Sequence, residues 1–307
     1  MQPLCSTPFV HRVRGELTAR RVTRAPGPPQ LERIAVTDAH EGPVYAADEH
    51  ALYFTTKPVP GDPPRVDIRR LDLATGAIAT LRPDANVANG MVLGPDGDLI
   101  VCEQGSFAEP ARISRVDRRT GATHTIVDSF DGRPLNSPND VVVARDGAVW
   151  FTDPGYGHLQ GFRPAPALGD HVYRHDPGTG ATTIAAAGFD KPNGLAFSPD
   201  ERTLYVADNG APHHLLAFPV AGARLGPGRV IADGTPEHPD GLKVDAAGRI
   251  YASASTGVRI HGADGALLGE IHLPGTVNFA FGGPARNVLF ITTDTAIFAA
   301  VLDTKGA

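Results

Sequence analysis

The feature that most constrains this chain is one hairpin-like segment written six times. Its clearest copy runs Asn139-Asp140-Val141-Val142-Val143, turns at Arg145-Asp146-Gly147 and returns through Trp150-Phe151-Thr152-Asp153. Two β-type runs joined at Asp-Gly pair antiparallel, which brings the polar head and the terminal carboxylate to the same end. The other copies open at Glu41, Asn89, Asn193, Asp240 and Asn278, so successive heads lie 38 to 54 residues apart. A strand-built repeat of about 40 to 50 residues is the mark of a β-propeller, with one four-stranded sheet per blade. The sequence therefore predicts an all-β chain, a six-bladed β-propeller.

The repeat also decides the domain count. At 307 residues, length alone would suit two domains, but the copies run from Glu41 to the end. This gives one propeller domain, 31–307, behind an irregular N-terminal extension, 1–30. Residues 31–36, Leu-Glu-Arg-Ile-Ala-Val, read as a lone strand ahead of the first head. Paired beside residues 296–302 in the last blade, it would close the ring and remove the exposed edges at the seam. The 35 glycines and 28 prolines are spread among the repeats as turn residues. Between the hairpins, further strands such as 66–72, 112–117, 171–176 and 257–261 carry Arg and His side chains that read as solvated.

Charge and composition exclude several partners. A net charge of −6 with scattered Lys and Arg offers no basic stripe to nucleic acid. No apolar run reaches the length of a signal or membrane-spanning segment, which gives the expectation of a soluble, cytoplasmic protein, monomeric or a small homo-oligomer. Cys5 and Cys102 match neither a metal-ligand spacing nor a disulfide framework.

In a propeller the first strand of each blade lines the central channel, so the six heads form a ring around one mouth. The second strands return to that mouth and end in Thr55, Glu103, Asp153, Asp208, Ser253 and Thr292. Any single Asn or Asp ahead of a strand is ordinary turn chemistry. Together, Glu41, Asp240, Glu103, Asp153 and Asp208 bring several carboxylates to one funnel, with no Lys or Arg among heads or tails. Such a set repels itself unless some members protonate or a cation binds. Carboxylate and carboxamide oxygens suit a hard ion, Ca²⁺ ahead of Mg²⁺ or Mn²⁺, whereas Zn²⁺ ordinarily recruits nitrogen or sulfur. Asn89, Glu103, Asp153 and Tyr156 are the expected substrate-binding residues of the rim, a lining suited to hydroxyl-rich molecules.

The runs Leu135 to Val142, Trp150 to Gly157, Lys191 to Ser198 and Pro239 to Leu242 resemble the gluconolactonase and senescence-marker-protein (regucalcin)-like family over roughly residues 30 to 302. The resemblance implies a six-bladed propeller with a divalent ion on the axis that supplies Lewis-acid chemistry, usually for hydrolysis of sugar lactones. By position it assigns the metal ligands to Glu41, Asn139, Asn193 and Asp240, with Asn139 reaching the ion directly or through water, and sets Asp140 behind them. Asp240 would be the general base or nucleophile, with Asp208 as the rival base. Ser137 departs from the mammalian pattern, which has arginine two residues before the asparagine. Two alternatives stand beside the lactonase reading: phosphotriester or other ester hydrolysis on the same metal, and a non-catalytic ligand-binding or interaction propeller.

Overall fold

The computed structural model describes residues 30–211, 213–234 and 238–307. The predicted hairpin forms as read: Val141–Val143 pairs antiparallel with Val149–Asp153, Val141 opposite Phe151, around a turn in which Gly147 takes φ +83°. His171–Asp176 and Ala181–Ala186 complete that sheet. The same four-strand order builds blade 1 (Val44–Ala46, Ala51–Thr55, Ile68–Asp72, Ile78–Arg82) and blade 2 (Ala88–Leu93, Leu99–Glu103, Arg112–Val116, Thr123–Val127). Blade 4 uses Pro192–Phe197, Thr203–Asp208, His214–Ala221 and Arg229–Asp233, and blade 5 uses Leu242–Val244, Ile250–Ala254, Gly257–His261 and Leu267–His272. Among the described residues one short helix, Tyr156–Leu159, interrupts the all-β pattern.

Blade 6 takes strands from both ends of the chain. Phe279–Gly282, Val288–Thr292 and Ala296–Val301 are joined by Leu31–Val36, with Leu31 opposite Ala300 and Val36 opposite Ala296. The ring thus closes through the strand the sequence pointed to. The tail beyond it clasps blade 5, with the amides of Ala246 and Ala307 donating to the carbonyls of Lys305 and Val244 at 2.8 and 3.1 Å. Residues 1–29, with Cys5 and nearly all of the expected extension, lie outside the described residues.

The core lies between blades. Second strands are buried along their whole length in blades 1, 2, 3 and 5, because each is covered on both faces by its neighbours. This explains their continuous apolar runs, and Trp150, Tyr53, Tyr173 and Phe54 are the largest side chains they and their partners bury. Each contributes roughly 1.5–3 kcal/mol or more. The glycine after a head answers a neighbour rather than a turn. A Cβ on Gly90 would lie 2.5 Å from the carbonyl oxygen of Asn139, and one on Gly194 would lie 2.2 Å from that of Asp240. Only glycine lets adjacent inner strands approach that closely.

One expectation fails here. The third strands are not outermost, being sandwiched between the second and fourth, and their basic side chains are largely withdrawn from water. Arg174 lies over Trp150 and pairs with Asp146 at 2.9 Å, while His175 and His261 are buried. Free exposure belongs to fourth strands such as Ile78–Arg82 and Leu267–His272.

Candidate active site

The heads meet at one mouth and are tied to one another around the ring. The amide of Gly90 donates to the Asn139 carbonyl at 2.8 Å and that of Gly194 to the Asp240 carbonyl at 3.0 Å. Threonines near the ends of second strands add matching bonds: Thr55 Oγ1 to the Asn89 carbonyl at 3.2 Å, Thr152 Oγ1 to that of Asn193 at 2.8 Å and Thr292 Oγ1 to that of His40 at 2.6 Å. Asn89, Asn139, Asn193 and Asp240 are thereby held by the blade before each, and Glu41 through its neighbour His40.

Within this ring the side chains leave oxygens free. Glu41, only 5% exposed, accepts Asn278 Nδ2 at 2.6 Å and its own neighbour Gly42 N at 3.2 Å, both on Oε2. Among the described residues Oε1 has no partner. Asn193 donates from Nδ2 to Tyr156 Oη at 3.3 Å, which fixes its carboxamide and leaves Oδ1 as the atom it offers. Asn139 is buried, and no hydrogen bond among the described residues engages its side chain. Two further buried oxygens, Asn89 Oδ1 and Asp140 Oδ2, have no hydrogen-bond partner. Buried orphan oxygens are rare and mark a place for an ion or water.

The electrostatics agree. Burial lifts the Asp240 carboxyl well above its ordinary range, the neighbouring Glu41 charge adds to that, and His40 opposes it. Burial also pushes Asp140 up to about 6, against Lys243, whose Nζ lies 3.9 Å from Oδ2. Among the described residues no three His, Cys, Asp or Glu side chains gather as a metal site. The side chains expected there, the carboxylates of Glu41 and Asp240 and the carboxamides of Asn139 and Asn193, offer oxygen alone. An all-oxygen set with uncompensated negative charge fits a hard divalent ion.

The second ring is corrected. Glu103 is fully buried and its carboxylate is consumed by Arg82 Nη1 and Arg112 Nη2, both at 2.6 Å, Ser114 Oγ at 2.6 Å and Asn86 Nδ2 at 3.1 Å. It is a knot between blades 1 and 2, not part of the rim. Asp153 is fully buried as well and accepts the backbone amides of Asn136 and Ser137, both at 2.8 Å. The Asp208 carboxylate receives the Asp190 amide at 3.0 and 3.1 Å, one donor shared by its two oxygens. Of the other expected rim residues, Asn89 is itself one of the heads, and Tyr156 meets the ring through Asn193. Ser137, standing where the family pattern has arginine, docks the helical turn by accepting Gly157 N at 2.9 Å.

Sequence reasoning missed His40. Its Nδ1 lies 2.6 Å from Asp294 Oδ1, and Lys57 meets the other Asp294 oxygen at 2.9 Å. Hydrogen bonds from His40 and Lys57 outweigh burial and pull Asp294 down to about 2. His40 itself is raised, because Asp294, Glu41 and Asp240 together outweigh the desolvation that lowers it. The signal was available, since the residue before a head faces the same mouth as the head.

A family model described as the SMP-30/gluconolactonase/LRE-like region matches residues 39–295. The chain belongs to this family. Among its relatives is a gluconolactonase of Zymomonas mobilis, 32% identical over 75% of this chain and 68% of the relative. A pentonolactonase of Haloferax volcanii is 31% identical over 82% and 80%. The solved structure of a gluconolactonase from Xanthomonas campestris superposes with a TM-score of 0.79 at 35% identity, covering 89% of this chain and 90% of that one. The span matched by the SMP-30/gluconolactonase model takes in all six heads, from Glu41 to Asn278.

Proposed function

We propose that this family member is a divalent-metal-dependent hydrolase that opens sugar lactones. The observation that carries the reading is the convergence of Glu41, Asn139, Asn193 and Asp240, from four different blades, on one mouth, where Asp240 is hydrogen-bonded to Asn193 and feels the Glu41 charge. Those four residues would hold the ion, which when bound supplies Lewis-acid polarisation of the lactone carbonyl. Ca²⁺ suits the all-oxygen set best. Zn²⁺ suits it least, since that ion ordinarily recruits nitrogen or sulfur ligands.

The remaining work falls to the chain's own groups. Asp240 is the group that would take the proton of an attacking water, as a carboxylate at the edge of the ion can reach it. Tyr156 presents a half-buried ring and hydroxyl beside Asn193, a surface on which a sugar ring packs. Asp140, behind the heads, raises the negative potential of the floor.

The test is direct. Chelator-stripped protein should hydrolyse glucono-δ-lactone at no more than background, and Ca²⁺, Mg²⁺, Mn²⁺ or Zn²⁺ added singly should restore the rate to different extents. Full activity without metal would remove the axial ion from the mechanism. Turnover of a phosphotriester in preference to every lactone tried would replace the substrate class.

A further inference from the structure

Beyond the ligand ring, the segment after Asp153 carries an arrangement that the hydrolysis itself does not explain. The chain makes one helical turn, Tyr156–Leu159, and then sends two consecutive side chains inward. Phe162, 3% exposed, packs among Val44, Val87 and Met91 at the seam of blades 1 and 2. Arg163, 6% exposed, spreads its guanidinium over three backbone carbonyls: Nε to Asn136 at 3.1 Å, Nη1 to Ser106 at 3.1 Å and Nη2 to Leu135 at 2.7 Å. These acceptors are neutral and come from two blades. Burial lowers the Arg163 pKa, with only Asp153 pulling the other way. A desolvated cation held by neutral carbonyls adds little to stability, so its geometry is the more telling property.

That geometry converges on Gly157, the residue after Tyr156. The amides of Phe162 and Arg163 both donate to the Gly157 carbonyl, at 3.0 and 3.1 Å. The Arg163 stem lies so close to Gly157 that a Cβ there would sit 2.4 Å from Arg163 Cγ and 2.6 Å from Ser137 Oγ. The carbonyls of Leu135 and Asn136 are meanwhile fixed independently, because Asp153 holds the amides of Asn136 and Ser137. Arg163 therefore hangs the Tyr156 turn and the Ser106 loop from a rigid template that leads directly into Asn139.

We propose that Arg163 is a positioning residue for the substrate wall: it fixes the Tyr156 ring against Asn193, so that the wall on which the lactone packs is preformed rather than closing as a lid. The inference rests on the lactonase reading only in naming what packs there. An enzyme that loses this tie keeps its ligands and base but binds substrate loosely.

Metal-saturated Arg163→Ala should show a KM for glucono-δ-lactone raised about tenfold with kcat changed by less than about threefold, the pattern of lost uniform binding. Methylguanidinium in the assay should restore much of the KM, and Arg163→Lys, which keeps charge without the fork, should fall between. Should the alanine variant fail to fold, the lysine variant carries the same comparison. In protein labelled with 3-fluorotyrosine, the Tyr156 resonance, assigned by its absence in Tyr156→Phe, should shift or broaden in both Arg163 variants. Unchanged KM, kcat and Tyr156 resonance beside a lowered melting temperature would reduce Arg163 to a stabilising strut and overturn the proposal. A wild-type protein that hydrolyses no lactone would instead remove the lactonase reading, and the fluorine spectra would still decide the role of Arg163.

Discussion

Asp240, half-buried ahead of a first strand, and Asp153, fully buried at the end of a second, are both carboxylates, yet their neighbours give them opposite work. Asp240 faces Glu41 across the ring, so Asp240→Asn should keep part of the metal affinity while lowering kcat about 10²- to 10⁴-fold. Glu41→Gln should instead weaken the thermal stabilisation given by added ion, since an ion that binds only the native state stabilises it by mass action. Calorimetric melts with and without Ca²⁺ separate the two. Asp153 serves the backbone, and Asp153→Asn, with one acceptor oxygen for two amides, should cost about 1–3 kcal/mol. Burial pushes Asp153 up to about 7 in the folded chain, above its unfolded value of about 4. Its contribution is therefore complete below the unfolded value and drains away as pH rises toward 7. The fall in melting temperature between pH 4 and 7 should be steeper in wild type than in Asp153→Asn. The heads were legible because a repeat exposes equivalent positions. The fate of Asp153 and Glu103 was not, because period and register give the end of the strand at which a carboxylate sits and say nothing of the amides or arginines that consume it.

At the scale of elements, blades are joined by polar knots that the repeat does not encode. Glu103 gathers Arg82 from the outer strand of blade 1 with Arg112 and Ser114 from its own blade. Arg82 lies 21 residues away in sequence and shares no motif with it. Removing one partner of a buried charge set leaves the others stranded, so Glu103→Gln should cost about 3–5 kcal/mol while kcat/KM per folded molecule stays unchanged. A selective loss on hydroxylated lactones would return Glu103 to the rim. Thr152 is a smaller knot: Oγ1 donates to Asn193 at 2.8 Å and accepts Asp140 N at 3.1 Å. Thr152→Val keeps the shape and strands both groups, so metal affinity, read by titration calorimetry, should weaken together with stability. The strands themselves were readable from alternation and turn residues. The third strands were misjudged because polar side chains on a covered strand resemble those on an exposed one until their ion-pair partners are known.

At the scale of the molecule, closure was legible from a strand with no hairpin of its own ahead of the first head, since pairing it in the last blade removes the edges at the seam. Deleting residues 30–36 should bare the edge of Ala296–Val301 and give aggregated protein by light scattering, whereas deleting a loop of similar length between blades should not. The seam also sets a clock. During synthesis Leu31–Val36 leaves the ribosome early, but the strand it needs, Ala296–Val301, is made about 260 residues later. At roughly 5–20 residues per second the wait is about 13–52 s, during which five blades can form and the first strand has no partner. Its charged residues, Glu32 and Arg33, both exposed, make that wait tolerable in water. The same interval opens a route to exchange, in which neighbouring chains on one polysome trade first strands and emerge as interlocked pairs. Slower translation through blade 6 would lengthen that exposure, so the yield of interlocked pairs should track codon speed across blade 6 even though the amino-acid sequence is unchanged.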